Sequence, residues 1–338
     1  MDELLIGLIG AGNMGKALAR GVAACDRGRI VAVADTAEGA APGAAEEIAG
    51  EREAIDAYTD VAEMLAREDI AAAIVAAPNF LHPPLTRQAA EAGKHVFCEK
   101  PMALNVADAR AMIAACESAG VKLMIGQVLR YNAPYVWMID QIRAGALGEP
   151  FGMQVTRIGG AWGGVYGQTW RMSKELSGGP LFEINAHEID FMRQVLGEAQ
   201  TVYASMDNYV NPDADYEDFV HVIVNFEGGG RGALLAGHAS RLGSYDGKIF
   251  CTNGTILFDN KTGNVMCKVG DDEAQTIPYG DTGVGYERGL DREVREFIEA
   301  VVDDTEVTIP GIEGLRNTEI AQAAQLSAAA NRVVELPL

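Results

Sequence analysis

The sequence contains no CxxC pair, no HExxH and no Cys/His cluster at ligand spacing, so neither a zinc site nor a zincin-type hydrolase is expected, and no catalytic metal is assigned. The five cysteines, Cys25, Cys98, Cys116, Cys251 and Cys267, are odd in number and scattered. That pattern reads as reduced thiols in a cytosol, the expected compartment. Charge or glycine interrupts every apolar run before it reaches eighteen residues, which argues against a membrane span. Met1-Asp2-Glu3 is acidic and the apolar run after it enters a glycine loop directly, unlike a signal peptide. Basic residues are scarce: 27 Lys and Arg against 48 Asp and Glu leave a formal charge of −21. Nucleic-acid phosphates demand a basic face, so that class of partner is excluded. The acidic excess reads as a solvated, self-repelling surface or as an adaptation to salt. No repeat at a solenoid period is present.

What is present fits two domains: 338 residues, 48% of them apolar, suffice for two cores. Leu4-Leu5-Ile6-Gly7-Leu8-Ile9 reads as a buried strand running into Gly10-Ala11-Gly12-Asn13-Met14-Gly15 and then an amphipathic helix. Gly10 permits the tight turn, Gly12 lets backbone approach a pyrophosphate, and Gly15 lets the helix pack close to the strand. A second strand, Ile30–Ala34, ends in Asp35, about 20 residues past the fingerprint, where an acid accepts from ribose hydroxyls. Its charge would repel a 2′-phosphate and Thr36-Ala37 offers no arginine, so NAD is favoured over NADP. Helices at 41–49, 61–67, Leu85–Ala92 and 105–119 alternate with strands at Ile70–Ala77, His95–Cys98 and 121–127, which implies a doubly wound parallel sheet.

His95-Val96-Phe97-Cys98-Glu99-Lys100-Pro101 organises this half. Ligands gather where parallel strands end, and Lys100 stands there as a group able to exchange a proton with a substrate. Asn79 and His82 follow another strand end. His82 reads equally as a solvent-facing loop histidine and as a cofactor contact.

After a helix at Ala133–Arg143, glycines at 145 and 148 and Pro150 mark a change of pattern. Alternating strands at Phe151–Ile158, Thr201–Tyr209, Tyr216–Phe226, 231–240, 246–252, 254–259 and 264–269 indicate an α+β domain with a large, mainly antiparallel open sheet. A helix from Glu183 to Leu196 covers one face. His221 and His238 read as structural. His187 and Asp190 lie one helical turn apart, suited to a hydrogen bond between them. The loop between the first strand and this helix carries Trp162, Tyr166 and Trp170 among glycines, flat apolar faces that suit the C–H patches of a polyol. The expected domains are 1–126 and 127–338, with a last helix at about 312–333 packing back on the first domain.

Gly10-x-Gly12-x-x-Gly15, Ala77-Pro78-Asn79-x-x-His82, Glu99-Lys100-Pro101, Trp170-Arg171 and Gly178-Gly179-Pro180-Leu181-x-Glu183-x-x-x-His187-Glu188-x-Asp190 together resemble the glucose–fructose oxidoreductase / inositol dehydrogenase / rhizopine catabolism family, Gfo/Idh/MocA. The resemblance covers nearly the whole chain. It implies an NAD(P)-dependent dehydrogenase acting on a CH–OH group of a sugar, cyclitol or related polyol, and a homodimer or homotetramer built through the second sheet. Lys100 would touch both the nicotinamide ribose and the substrate hydroxyl, and His187 would be the second acid/base group. Glu183 stands where the inositol dehydrogenase pattern has aspartate, which makes it the third catalytic candidate. The implied cofactor set is Gly10, Gly12, Asn13, Met14, Gly15, Asp35, Ala77, Pro78, Asn79, His82, Glu99, Lys100, Gln127, Trp170 and Arg171. The implied substrate set is Lys100, Arg130, Tyr131, Arg157, Trp162, Tyr166, Asn185 (where many relatives carry glycine) and His187. The same fold hosts NAD-dependent glycosidases, a second reading; a non-catalytic dinucleotide sensor is a third.

Overall fold

β1, Leu4–Ile9, is buried almost throughout, as a central parallel strand must be. The computed structural model describes residues 3–50, 54–161, 163, 167, 169–283 and 287–338. They divide into two compact units: Met1–Val128 with Glu287–Arg316, and Leu129–Tyr286 with Asn317–Leu338.

In the first unit the chain runs from β1 through α1 (Asn13–Ala23), β2 (Gly28–Ala34), α2 (Ala40–Ala49), β3 (Asp56–Tyr58), α3 (Val61–Leu65) and β4 (Ala72–Val75). It continues through α4 (His82–Glu91), β5 (His95–Cys98), α5 (Val106–Ala119) and β6 (Leu123–Ile125). Among the described residues six strands form one sheet in the order β3-β2-β1-β4-β5-β6, all parallel. The order reverses between β1 and β4, the switch point at which such sheets take ligands. α4 starts at His82, three residues before the expected Leu85, with proline in its first turn, where a missing N–H costs nothing.

The second unit holds α6 (Ala133–Arg143), β7 (Pro150–Ile158), α7 (Lys174–Ser177), α8 (Pro180–Glu183), α9 (Ala186–Leu196), β8 (Ala199–Asp207) and β9 (Phe219–Phe226). β10 (Arg231–Gly237), β11 (Ser244–Cys251), β12 (Gly254–Asp259), β13 (Asn264–Val269) and β14 (Gln275–Pro278) follow. With β15 (Val334–Glu335) they form, among the described residues, a nine-stranded sheet, β14-β13-β12-β11-β7-β10-β9-β8-β15. Only the β7–β10 pair is parallel; the other pairings are antiparallel. α9 lies on β7 and β10, as expected of the covering helix. The expected single helix from Glu183 is two, since α8 ends at Glu183 and α9 begins at Ala186.

α9 buries charge as well as apolar surface, and buried charge needs partners. Asp190, 1% exposed, accepts two hydrogen bonds from Arg130, at 2.8 and 2.6 Å. It also accepts from Asn317 and Gln194. Arg193 donates to Asn317 and Glu198, and Glu188 accepts from Arg157.

α10 (Gly289–Val302) belongs to the first unit, an addition to the expected 1–126. Its buried Val294, Phe297 and Ile298 make an apolar stripe, and it packs on α1 and β1. Phe297 meets Phe97 edge-on at 5.7 Å. The last helix, α11 (Gly311–Ala330), begins in the first unit and passes into the second after Arg316. Among the described residues no helix is long and apolar enough to cross a membrane, and no group of three His, Cys, Asp or Glu could hold a metal ion. All five cysteines are free and buried.

The loop before β9 folds around Asp218, whose carboxylate accepts the N–H groups of Tyr209, Val210 and Asn211 and the Asn211 amide. Beside it His238 sits buried just past β10, with the Tyr216 hydroxyl on Nδ1 at 3.3 Å. Burial pushes the His238 pKa down to about 4, against the opposing pull of Glu183 and Asp218. Between the ordinary value of about 6.5 and 4 the unfolded chain binds a proton that the folded state refuses, so stability falls with pH across that window and is complete above it. Moving from pH 7.5 to pH 5 should cost about 2 kcal/mol through this one residue. Urea denaturation of His238→Gln should show that much less acid sensitivity; an unchanged pH slope would refute the assignment.

Candidate active site

The glycine loop after β1 is fixed by close contact. Gly10 has φ +102°, and a Cβ there would lie 2.5 Å from the Ala76 carbonyl oxygen, a conformation and a space for glycine alone. A Cβ on Gly15 would lie 2.0 Å from the Gly10 carbonyl oxygen. At Gly12, by contrast, a Cβ would meet nothing within 4 Å. The loop is therefore braced behind and open in front, and α1 starts there with no side chain capping its first turn. Backbone donors at a helix start, with room before them, suit a pyrophosphate. Asn13 and Met14, the first residues of that helix, are exposed.

Asp35, just past β2, accepts the Ala11 N–H at 2.8 Å on Oδ2 and the Ala37 N–H at 2.9 Å on Oδ1. It braces the loop and caps its own turn. Each carboxylate oxygen has a second lone pair, so the same group can accept from ribose hydroxyls.

Lys100 lies at the carboxyl end of β5, two strands from β1 and so about 10 Å across the sheet. It is half-buried. Its backbone N–H donates to Oε2 of Glu99 at 3.0 Å, and Glu99 itself is buried. Gln127, after β6, is buried; its N–H donates to Glu293 of α10. The Gln127 Oε1 meets no hydrogen-bond donor among the described residues, and a buried acceptor in that state invites a ligand N–H or O–H. The loop, the Asp35 lone pairs and this acceptor lie at the carboxyl ends of one parallel sheet, and they fit a dinucleotide. Glu293 is a residue that sequence reasoning missed; the signal was an acid on the otherwise apolar face of an unassigned helix.

Ala77 and Pro78 are half-buried and Asn79 is buried. His82 corrects the expectation of a solvent-facing loop histidine. It is 1% exposed, with Nδ1 2.8 Å from the Pro101 carbonyl oxygen and Nε2 2.8 Å from that of Ala77. It does not face solvent, and backbone carbonyls lie against both ring nitrogens.

In the second unit His187 and Asn185 open α9, both buried. Asn185 donates from Nδ2 to Glu188 at 3.0 Å, while its Oδ1 finds no donor among the described residues. Arg157 donates to Glu188 at 2.8 Å and lies 4.6 Å over the Tyr245 ring. The Glu183 carboxylate, offered as a catalytic group, accepts from Arg171 Nε at 2.7 Å. Arg171, half-buried, in turn lies 4.3 Å over the Trp170 ring, so the pair with the buried Glu183 has an aromatic cover. Arg130, expected on the substrate, is bonded to Asp190 through two nitrogens, and Tyr131 is buried. The hydrogen bond expected between His187 and Asp190 competes with Arg130, Asn317 and Gln194 for the same carboxylate. Trp162 and Tyr166 lie outside the described residues. At the ends of β7, β10 and β11 a cavity of about 410 Å³ is lined by Arg157, His238, Ser244, Tyr245, Asn260 and Lys261 among others.

Residues 4–127 match the family model described as oxidoreductase family, NAD-binding Rossmann fold. Residues 135–257 match the GFO/IDH/MocA C-terminal domain. The inositol 2-dehydrogenase of Rhizobium meliloti is 29% identical over 343 residues, covering 98% of each chain. The 2,7-anhydro-N-acetylneuraminate hydratase of Escherichia coli is 31% identical over 258 residues, 75% of this chain and 67% of that protein. A solved levoglucosan dehydrogenase in complex with NADH superposes with a TM-score of 0.88 at 26% identity over 99% of both chains. Fold, glycine cradle and both matched models agree: the chain belongs to the Gfo/Idh/MocA family of oxidoreductases, with its NAD-binding Rossmann fold and its family-type C-terminal domain.

Proposed function

We propose that this chain is a cytoplasmic NAD-dependent dehydrogenase that moves a hydride between a secondary alcohol of a sugar, cyclitol or related polyol and the nicotinamide. The observation that carries the reading is the half-buried Lys100 at the end of β5, in the same row of strand ends as the open cradle at Gly12. When bound, NAD⁺ supplies the acceptor for the hydride leaving the alcohol carbon. Lys100 takes the hydroxyl proton at Nζ as the carbonyl forms, and returns it in the reverse direction. His187 is the second acid/base group, buried at the start of α9. Glu183 serves by holding Arg171. Asn185 offers its unmatched Oδ1 to a substrate hydroxyl, and Arg157 offers the N–H groups that Glu188 does not use. The cavity of about 410 Å³ falls in the range of small-molecule sites, about 300–1,000 Å³. Relatives named for inositol and levoglucosan support a polyhydroxylated substrate.

A panel of sugars and cyclitols followed by NADH absorbance tests the reading; no oxidation across the panel despite NAD binding would return the chain to the sensor class. On the preferred polyol, Lys100→Met should lower turnover about 10²–10⁴-fold, well beyond any loss of NAD affinity measured separately. Parent-level turnover would remove Lys100 from the mechanism.

NAD rather than NADP follows from Asp35, whose carboxylate would face a 2′-phosphate. Asp35→Ala should raise the ratio of NADP to NAD affinity about tenfold, the worth of one charge contact, and weaken NAD itself because Ala11 loses its acceptor. Calorimetric titration of both dinucleotides decides, and an unmoved ratio speaks for another discriminator.

The uncovered face of the nine-stranded sheet is the surface for self-association. Tyr203, Ile223, Ala233, Gln154, Lys248, Leu257, Met266 and Thr276 fall in one row across eight strands. Four of them, Tyr203, Ile223, Leu257 and Met266, are exposed apolar or aromatic groups, a patch of the kind that marks an interface. Light scattering should find a dimer or tetramer for the parent and a single copy for Ile223→Lys with Met266→Lys. A parent chain already running as one copy defeats this.

A further inference from the structure

His82 presents a conflict of protons. Both of its ring nitrogens lie 2.8 Å from carbonyl oxygens, Pro101 on one side and Ala77 on the other. A carbonyl oxygen only accepts, and a neutral imidazole carries one N–H and one lone pair. In the neutral form one contact is therefore lone pair against lone pair, at 1% exposure, where water cannot mediate. The imidazolium donates from both nitrogens and satisfies both oxygens. Two charge-assisted bonds offset the cost of burying the charge.

The place of the two carbonyls gives that charge a task. Ala77 follows Ala76, whose carbonyl oxygen is the one Gly10 must clear. Pro101 follows Lys100, whose own N–H is held by Glu99. His82 thus links the exit of β4, braced against the glycine loop, to the segment that carries Lys100. We propose that His82 is held as an imidazolium and acts as a positioning residue, a charged clasp that sets the backbone of Lys100 relative to the dinucleotide cradle. Groups held by such a shell need no rearrangement when ligand arrives. Around the clasp β4 brings no ionisable side chain, β5 brings His95 and Cys98, the loop after it Glu99 and Lys100, and α5, packed on α4, brings Asp108, Arg110, Cys116 and Glu117. Arg87 and Glu91 lie on α4 itself. The charge state is independent of the proposed function; the positioning role rests on the dinucleotide reading.

The chain has five histidines, so the full-length protein labelled with ¹⁵N-histidine gives a short list of ring signals. His82→Gln identifies the relevant set; if that variant does not fold, replacing the other four in turn does so. At pH 7.5 an ordinary histidine is about nine-tenths neutral. Long-range ¹H–¹⁵N correlation should nevertheless show both His82 nitrogens protonated, with two ring N–H resonances. One protonated and one bare nitrogen overturns the proposal. The role is read by calorimetric titration with NAD⁺ and with ADP-ribose, which lacks the nicotinamide. His82→Gln should weaken NAD⁺ about tenfold or more and ADP-ribose less than about twofold, since the loosened segment holds the nicotinamide half. Equal weakening of the two makes His82 a fold-wide brace and overturns the positioning role. Failure of the parent to bind either ligand removes the dinucleotide reading and the role with it, and the spectrum still decides the charge.

Discussion

The Ala76 carbonyl oxygen fills the space that a side chain at residue 10 would need, and the first unit is arranged around that contact. It arises because β1 and β4 are sheet neighbours whose helical crossovers leave in opposite senses. Their exits must separate at once, and backbone touches backbone where they do. Gly10 and Gly15 make the approach possible; Gly12, in the same loop, faces open space. Asp35 holds the loop from one side through Ala11, and His82 holds Ala77 from the other. A cradle built of backbone in mutual contact keeps its shape without side chains that a ligand would have to displace.

The second unit meets a different constraint. Its covering helix carries His187, Glu188, Asp190 and Arg193 within two turns, all buried. Hydrophobic burial alone could not hold such a helix against a sheet, because each desolvated charge costs several kcal/mol unless matched. The match comes from far along the chain: Arg130 before α6, Arg157 on β7 and Asn317 on α11. Replacing a buried pair by apolar groups is often neutral, so such pairs set where an element sits more than how firmly it is held. Here they set the rotation of α9, and so the direction in which its first turn presents His187 and Asn185.

Local pattern carried much of this, and the failures share one cause. β1, the glycine loop, Asp35 and the alternation of β9 were legible because each is declared within a few residues. β3 was not, being three residues with two of them exposed, too short for a period to register. α10 is amphipathic but follows a loop, and its place in the first unit depends on Phe97 and Gly28, nearly two hundred residues or more away. The Arg130–Asp190 pair was not legible because nothing near Arg130 in sequence declares an acid sixty residues on. The burial of His82 was not legible either, because its partners are carbonyls, which carry no sequence signal at all. Asp35 shows the converse: its spacing suggested ribose, and its two backbone donors appear only in three dimensions.

The net charge of −21 bears on how an anionic cofactor could be taken. Arg130, Arg157, Arg171 and Arg193 are each matched to a carboxylate within the second unit, so these four guanidinium groups already have anionic partners. The long-range field therefore repels a dinucleotide, but only weakly beyond about 8 Å at physiological ionic strength. Capture must come at short range, from peptide N–H groups and the positive end of α1, which act within a turn of the helix and take no part in the net charge. On the proposed reading a second phosphate on the ribose would gain nothing from such a cradle, would stand near the Asp35 carboxylate, and would feel the outer field more strongly. By that reading the acidic surface and Asp35 press in the same direction, toward the less charged dinucleotide.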